Sequence, residues 1–116
     1  MTLQVQKIYM LTGKSLTADF NSPDIDVSQW KKYSIQVIKT AAGTSAGNFK
    51  IQVTDLNTDT TYFNDYPSST KAFDSATDVT AMWEFTTVGH EFVRVVWDNT
   101  SGAGGTVDII AFLKTE

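Results

Sequence analysis

Thirteen acidic residues, one histidine and no cysteine set the chemistry this chain can attempt. A nucleophilic triad needs an imidazole base, an orienting carboxylate and a serine on a sharp elbow. His90 follows Gly89 in a turn-like stretch, and no G-x-S-x-G accompanies it. A zinc centre needs three or four His, Cys or carboxylate ligands, which one histidine without cysteine does not supply. Asp55-Leu56-Asn57-Thr58-Asp59 has the D-x-N-x-D spacing that opens a calcium loop, in which alternate side chains converge on one hard cation. The match fails at the sixth position, where Thr60 replaces glycine, and at the twelfth, where Tyr66 replaces a bidentate glutamate. A turn explains the same residues, because Asp and Asn bond their own backbone. Asp74, Asp78 and Glu84 could on paper form the paired carboxylates of a glycosidase, but nothing in their spacing brings two together. The expectation is a protein that is not an enzyme and holds no cofactor and no metal.

Binding chemistry is better represented. Trp83 and Trp97 fall inside alternating apolar runs, where core packing accounts for them. Trp30 and the group Tyr62, Phe63 and Tyr66 lie outside such runs, and aromatic faces of that kind pack on sugar C–H faces or on a neighbouring subunit. Asn99-Thr100-Ser101 matches a glycosylation acceptor, but MTLQVQKIYML has no basic region ahead of an apolar core and does not read as a secretion signal. The glycine-bearing stretch Asn99 to Gly105 lacks the Lys-Ser/Thr pair of a phosphate loop and precedes a strand. It reads as the flexible tip of a hairpin whose glycines accept positive φ. The candidate binding or interface residues are therefore Tyr62, Phe63, Tyr66, Trp30, Asn99 and Ser101.

The elements that must position these residues are strands. Period-two alternation marks Leu3 to Tyr9, Leu16 to Phe20, Tyr33 to Lys39, Phe49 to Thr54, Val79 to Thr86, Phe92 to Trp97 and Val107 to Lys114. Ala41 to Asn48 reads as a second hairpin loop. Asn21 to Asp24 and Tyr66 to Ser69 read as turns, and Val27 to Lys32 as a short helical turn capped by Ser28. With 116 residues, 41% apolar and 19% charged, the chain fits one globular domain over 1–116. Seven or eight strands of this kind predict an all-β, antiparallel, jelly-roll-like sandwich. A net charge of −4, with no basic cluster beyond Lys31-Lys32, argues against nucleic acid and anionic membranes as partners.

The order of motifs over roughly residues 30–114 resembles small β-sandwich structural proteins of tailed bacteriophage virions. The pieces are YSIQVIK (33–39), a glycine loop, NFKIQVTD (48–55), an aspartate-rich loop leading to YFNDYPSST (62–70), AMWEF (81–85) and GHEFVRVVWDNTSGAGGTVDI (89–109). That group often carries a Ser-Asn-Asp or Asn-Asp-Gly turn followed by Trp; here Tyr62 or Phe63 takes the tryptophan's place. The resemblance implies a non-enzymatic capsid decoration or cement subunit, or a head-fibre or tail appendage. It would bind the major capsid protein or other virion proteins, assemble in the host cytoplasm and form a homo-oligomer, with a trimer favoured. Residues 1–30 have no counterpart in the pattern and are expected to contact a partner or a neighbouring subunit. The alternative is a carbohydrate- or receptor-binding module of a tail or fibre, with Tyr62, Phe63 and Tyr66 as its platform.

Overall fold

A computed structural model describes residues 3–55, 62–74, 79–86, 88–101 and 104–115. These residues form an all-β sandwich of two antiparallel sheets, extending 46 × 31 × 22 Å. Six long strands carry it: β1 (Val5–Ser15), β4 (Lys32–Ala41), β5 (Gly47–Thr54), β8 (Thr80–Phe85), β9 (Phe92–Asn99) and β10 (Thr106–Lys114). Four two-residue pairings join them: β2 (Phe20–Asn21), β3 (Ile25–Asp26), β6 (Asn64–Asp65) and β7 (Lys71–Ala72). The four-stranded sheet runs β1-β10-β4-β8; the other runs β2-β9-β5-β6, with β3 on β9 and β7 on β5.

Alternation decides which side chains meet between the sheets, because successive residues of a strand point to opposite faces. Ile35, Val37, Ala81, Trp83, Ile109, Ala111 and Leu113 fill the core from the first sheet; Phe49, Ile51, Val93, Val95 and Trp97 fill it from the second. A register shift between Tyr9 and Leu11 puts the consecutive pair Met10 and Leu11 against the core, as a bulge does when two residues oppose one.

Buried serines complete the hydrogen bonding where pairing lapses. Ser22 lies between β2 and β3: its N–H donates to Val95 O (2.8 Å) and its Oγ accepts from Val95 N (2.8 Å). Ser69 does the same for β5, accepting from Ile51 N (3.1 Å) and donating to Ile51 O (3.3 Å). A buried backbone N–H left without a partner costs about 1–3 kcal/mol, so these serines extend the ladder at positions where no strand does.

Two expected hairpins are arches between sheets. β4 and β5 belong to different sheets, as do β9 and β10. Both loops lie at one end of the sandwich and pack on each other. Gly104 N–H donates to Thr44 O (3.2 Å), Gly105 O accepts from Leu16 N (3.1 Å), and Gly105 has φ +96°. A Cβ on Gly43 would stand 2.6 Å from the carbonyl carbon of Gly104. Gly104 and Gly105 thus form a packed crossing, not a free tip; Gly102 and Ala103 lie outside the described residues. The segment expected as a helical turn, Val27 to Lys32, is a turn without a helix up to Lys31, and Lys32 already opens β4; the turn's cap is Asp26, whose Oδ1 accepts from both Ser28 N (2.8 Å) and Ser28 Oγ (2.6 Å). Leu16 to Phe20 is not a strand beyond Phe20: Leu16 is fully buried and its carbonyl accepts from Trp97 Nε1 (3.1 Å). Residues 5–26 are built into both sheets, with β1 at an edge of its sheet among the described residues.

Candidate functional site

The strand directions divide the aromatic and polar candidates between the two ends of the sandwich. β5 and β9 are antiparallel, with Thr54 opposite Phe92 at one end and Gly47 opposite Asn99 at the other. Tyr62, Phe63, Tyr66 and Trp30 gather around the first end; Asn99 and Ser101 lie at the second. The six candidates do not form one site.

At the second end the bonds are internal to the fold. Asn99 N donates to Asp19 Oδ1 (2.6 Å) and Asn99 Nδ2 to Thr17 O (3.1 Å), stitching the segment before β2 to β9. Ser101 is exposed, and its backbone N–H donates to Ala46 O (3.4 Å).

At the first end the neighbouring tyrosines have different tasks. Tyr66 is half-buried; its ring meets Phe85 edge-on at 4.9 Å, and its backbone N–H donates to Ile51 O (2.8 Å). Phe63 covers the guanidinium of Arg94 at 4.0 Å. Arg94 Nε and Nη2 both donate to Gln52 Oε1 (2.9 and 2.6 Å), and Gln52 Nε2 donates to Asp65 Oδ1 (2.9 Å). Lys50 then bridges Asp65 (3.3 Å) and Asp98 (3.6 Å). This polar chain covers the outer face of the six-stranded sheet, and Arg94 is only 8% exposed within it. The bond from Gln52, followed by Lys50, holds the Asp65 carboxyl below the usual carboxylate range. Trp30 is half-buried against the core and borders a separate shallow cleft with Lys31, Thr86 and Val88.

Tyr62 alone among these rings stands free, 54% exposed. It borders an open cleft with Asp55, Asn64 and His90. Asn64 Nδ2 donates to Tyr62 O (3.3 Å), and Asp55 Oδ1 accepts from Glu91 N (3.2 Å). One exposed aromatic face beside an amide, a carboxylate and an imidazole can hold a planar apolar surface with hydroxyls around it. Asn57, Thr58, Asp59 and Thr60 of the calcium-like spacing lie outside the described residues, as does Asp78. Glu84 is on the outer face of β8, while Asp74 follows β7 on the other sheet. Among the described residues no three His, Asp or Glu side chains converge as metal ligands.

His90 is not the exposed turn imidazole that its sequence neighbours suggest. Its ring stands edge-on to Tyr33 (5.8 Å), Phe85 (5.9 Å) and Tyr66 (6.0 Å), and Tyr33 itself stacks on Phe85 at 4.4 Å. A hydrogen bond joins Tyr33 Oη and His90 Nε2. Burial, and then the neighbouring Tyr66, pushes the Tyr33 hydroxyl far up, so it stays protonated and donates. Burial also lowers the His90 pKa, against a smaller opposing pull from Asp55. The imidazole is therefore neutral, accepting at Nε2 with its proton on Nδ1. A histidine with a depressed folded pKa contributes stability that is present above the unfolded value of about 6.5 and is lost as pH falls through the lower, folded value. Chemical denaturation across pH 8 to 5 should show stability declining below about 6.5. His90→Gln, which keeps an acceptor for Tyr33, should flatten that window; an unchanged slope would assign it to other groups.

Two signals missed in the sequence were the part-buried Tyr33–His90 pair and the serines at 22 and 69. Tyr33 lies in an alternating run whose inward face is legible, but its partner is 57 residues away.

No family model matches the chain. No curated protein matches it either. Solved structures do match, in fold. The SPBc2 prophage-derived protein YomS aligns over 98% of this chain and 96% of its own, with a TM-score of 0.65 and 11% identity. A structure described as Bacillus endospore appendages that form disulfide-linked pili aligns over 98% and 88%, with a TM-score of 0.51 and 15% identity. VP2 of the infectious bursal disease virus subviral particle aligns over 98% of this chain and 33% of its own, with a TM-score of 0.54 and 10% identity. At these identities the likeness is one of fold: a two-sheet sandwich shared with a prophage-derived protein, an endospore-appendage protein and VP2 of a viral particle.

Proposed function

We propose that the protein is a non-enzymatic structural subunit of a bacteriophage particle, a decoration or cement protein that attaches to the major capsid protein after assembly in the host cytoplasm. The observation that carries the reading is where the large apolar side chains are exposed. Tyr9, Met82 and Phe112 lie on the outer face of the four-stranded sheet, and Leu3 and Val5 on its edge strand and the approach to it. The outer face of the other sheet is closed by the Arg94–Gln52–Asp65–Lys50 chain. Contiguous apolar exposure on one side of a small protein serves contact with another protein. The end-to-end alignment with a prophage protein and the likeness to a capsid protein support a virion setting.

This apolar face is assigned to contact between subunits, and attachment to the particle to the tyrosine-bearing end, where Tyr62 is the exposed ring. Mass spectrometry of purified particles should find the chain, and absence from every particle fraction would refute the reading. Tyr62→Ala should lower capsid co-sedimentation about tenfold or more, as expected of an aromatic anchor, with the thermal midpoint unchanged.

The cleft beside Tyr62 favours one second reading, a carbohydrate- or receptor-binding module of a tail or fibre. An exposed ring with Asn64, Asp55 and His90 around it suits a sugar face and its hydroxyls. Glycan arrays separate the two: a glycan signal abolished by Tyr62→Ala, with no capsid binding, would select the module.

A further inference from the structure

The register of the four-stranded sheet points to a second copy of this chain as the occupant of its outer face, related by a twofold axis parallel to the strands between β10 and β4. Cross-strand partners line up in rows. One outer row reads Lys7, Phe112, Ser34, Glu84 from β1 to β8. The next reads Tyr9, Ile110, Gln36, Met82. Opposite charges thus stand at the two ends of one row, on the two edge strands, about 14 Å apart at the usual strand spacing.

A twofold axis between the central strands exchanges the edges. Lys7 of one copy then faces Glu84 of its mate, and the pair forms twice, as an isologous contact requires. The same operation sets Tyr9 over Met82 and Ile110 over Gln36. Tyr9 and Met82 are 53% and 47% exposed in the single chain, and a groove bordered by Met82, Gln36 and Ile110 crosses the face to receive the ring. The row Val5, Lys114, Lys32 sets like charges together. It lies at the end of the sheet, where long lysine stems carry their heads into water. A face of this size buries roughly 1,000 Å² in total, near the lower limit for a specific interface. The pair is therefore weak and forms as concentration rises.

The inference rests on reading this face as a protein contact, and it does not depend on capsid attachment. Sedimentation equilibrium of the full chain from micromolar to near-millimolar concentration should show the mass rising toward that of two chains. Lys7→Glu and Glu84→Lys should each weaken association about tenfold or more, since each sets like charges face to face at both ends of the row. Mixing the two variants should restore it: in the mixed pair, each end of the row again sets one acidic side chain against one basic one. Tyr9→Asp should abolish the pair while leaving circular dichroism unchanged. A chain that stays monomeric at every concentration, a mass that settles at three chains, or a mixture of variants that fails to associate would each overturn the twofold pair. A monomer that still co-sediments with capsids would overturn the pair alone and leave the structural reading standing.

Discussion

Trp97→Ala is expected to destabilise the protein by about 3–5 kcal/mol, the range for deleting a large aromatic from a core. The indole is fully buried. It lies 4.5 Å from the Phe49 ring and 6.4 Å, edge-on, from Phe73, so the residues that would have to close the cavity are themselves large rings fixed by β5 and the segment after β7. A site walled by rigid rings collapses poorly, which places the cost toward the upper part of the range. Trp97 Nε1 also donates to Leu16 O (3.1 Å), and that bond ties the chain leaving β1 to the core. Removing the indole strands this buried carbonyl as well. Thermal unfolding should show a midpoint lowered by roughly 12 °C or more, at about 4 °C per kcal/mol for a domain of this length. Trp97→Phe, which keeps a ring but not the donor, should fall between. A midpoint within a few degrees of the parent would mean that Trp97 is not the centre of the core.

Much of this core is legible in the sequence. The alternating runs of β4, β5, β8, β9 and β10 specify both strand and inward face, because period two leaves only one face to bury. Trp83 follows from that rule alone; Trp97 also needs Arg94 to mark the outward side of β9, which is buried from Val93 to Trp97. The arches were not legible. Ala41 to Asn48 and Asn99 to Gly105 have the composition of hairpin turns, and local composition cannot say whether the next strand pairs with the last one or crosses to the other sheet. What decides it is the two loops packing on each other through Gly43, Gly104 and Gly105, a contact between segments some sixty residues apart. The candidate site was legible in part. Tyr62 is exposed, whereas Tyr66 and Phe63 are packed on Phe85 and Arg94. The place of His90 was not legible: its neighbours in sequence are turn residues, and its neighbours in space are Tyr33, Tyr66 and Phe85.

The two outer faces of the sandwich bear on function for the same reason that the two inner faces bear on stability. On the six-stranded sheet, polar residues at alternate positions of β5 and β9 bond one another and satisfy the surface within the chain. On the four-stranded sheet, the same alternation puts Tyr9, Ile110, Met82 and Phe112 outward among a few charges. On the reading proposed above, that uncovered apolar face is an association surface, with β1 at the edge of its sheet among the described residues.

Gly47→Ala should be costly for so small a substitution, at about 3 kcal/mol, the upper end for inserting a methyl into a packed core. Gly47 opens β5 opposite Asn99. A Cβ there would collide with the carbonyl oxygen of Asp98 and stand 2.8 Å from Cη2 of Trp97. The first obstacle is backbone in a paired strand and cannot rotate away; the second is the ring on which the core is built. Gly47 O also accepts from Phe73 N (2.9 Å), so moving β5 to make room breaks that tie. Gly104→Ala is the control, because among the described residues its Cβ would meet nothing nearer than 3.7 Å and its φ is not positive; it should change stability by less than about 1 kcal/mol. Since one of the two collisions at Gly47 is with the indole, Gly47→Ala combined with Trp97→Phe should cost less than the sum of the single changes, the sign of two residues sharing one space. Denaturant midpoints of the four proteins test this directly: strict additivity would mean that the Asp98 carbonyl alone sets the cost, and a Gly47→Ala protein as stable as the parent would mean that β5 and β9 do not approach each other as closely as their register requires.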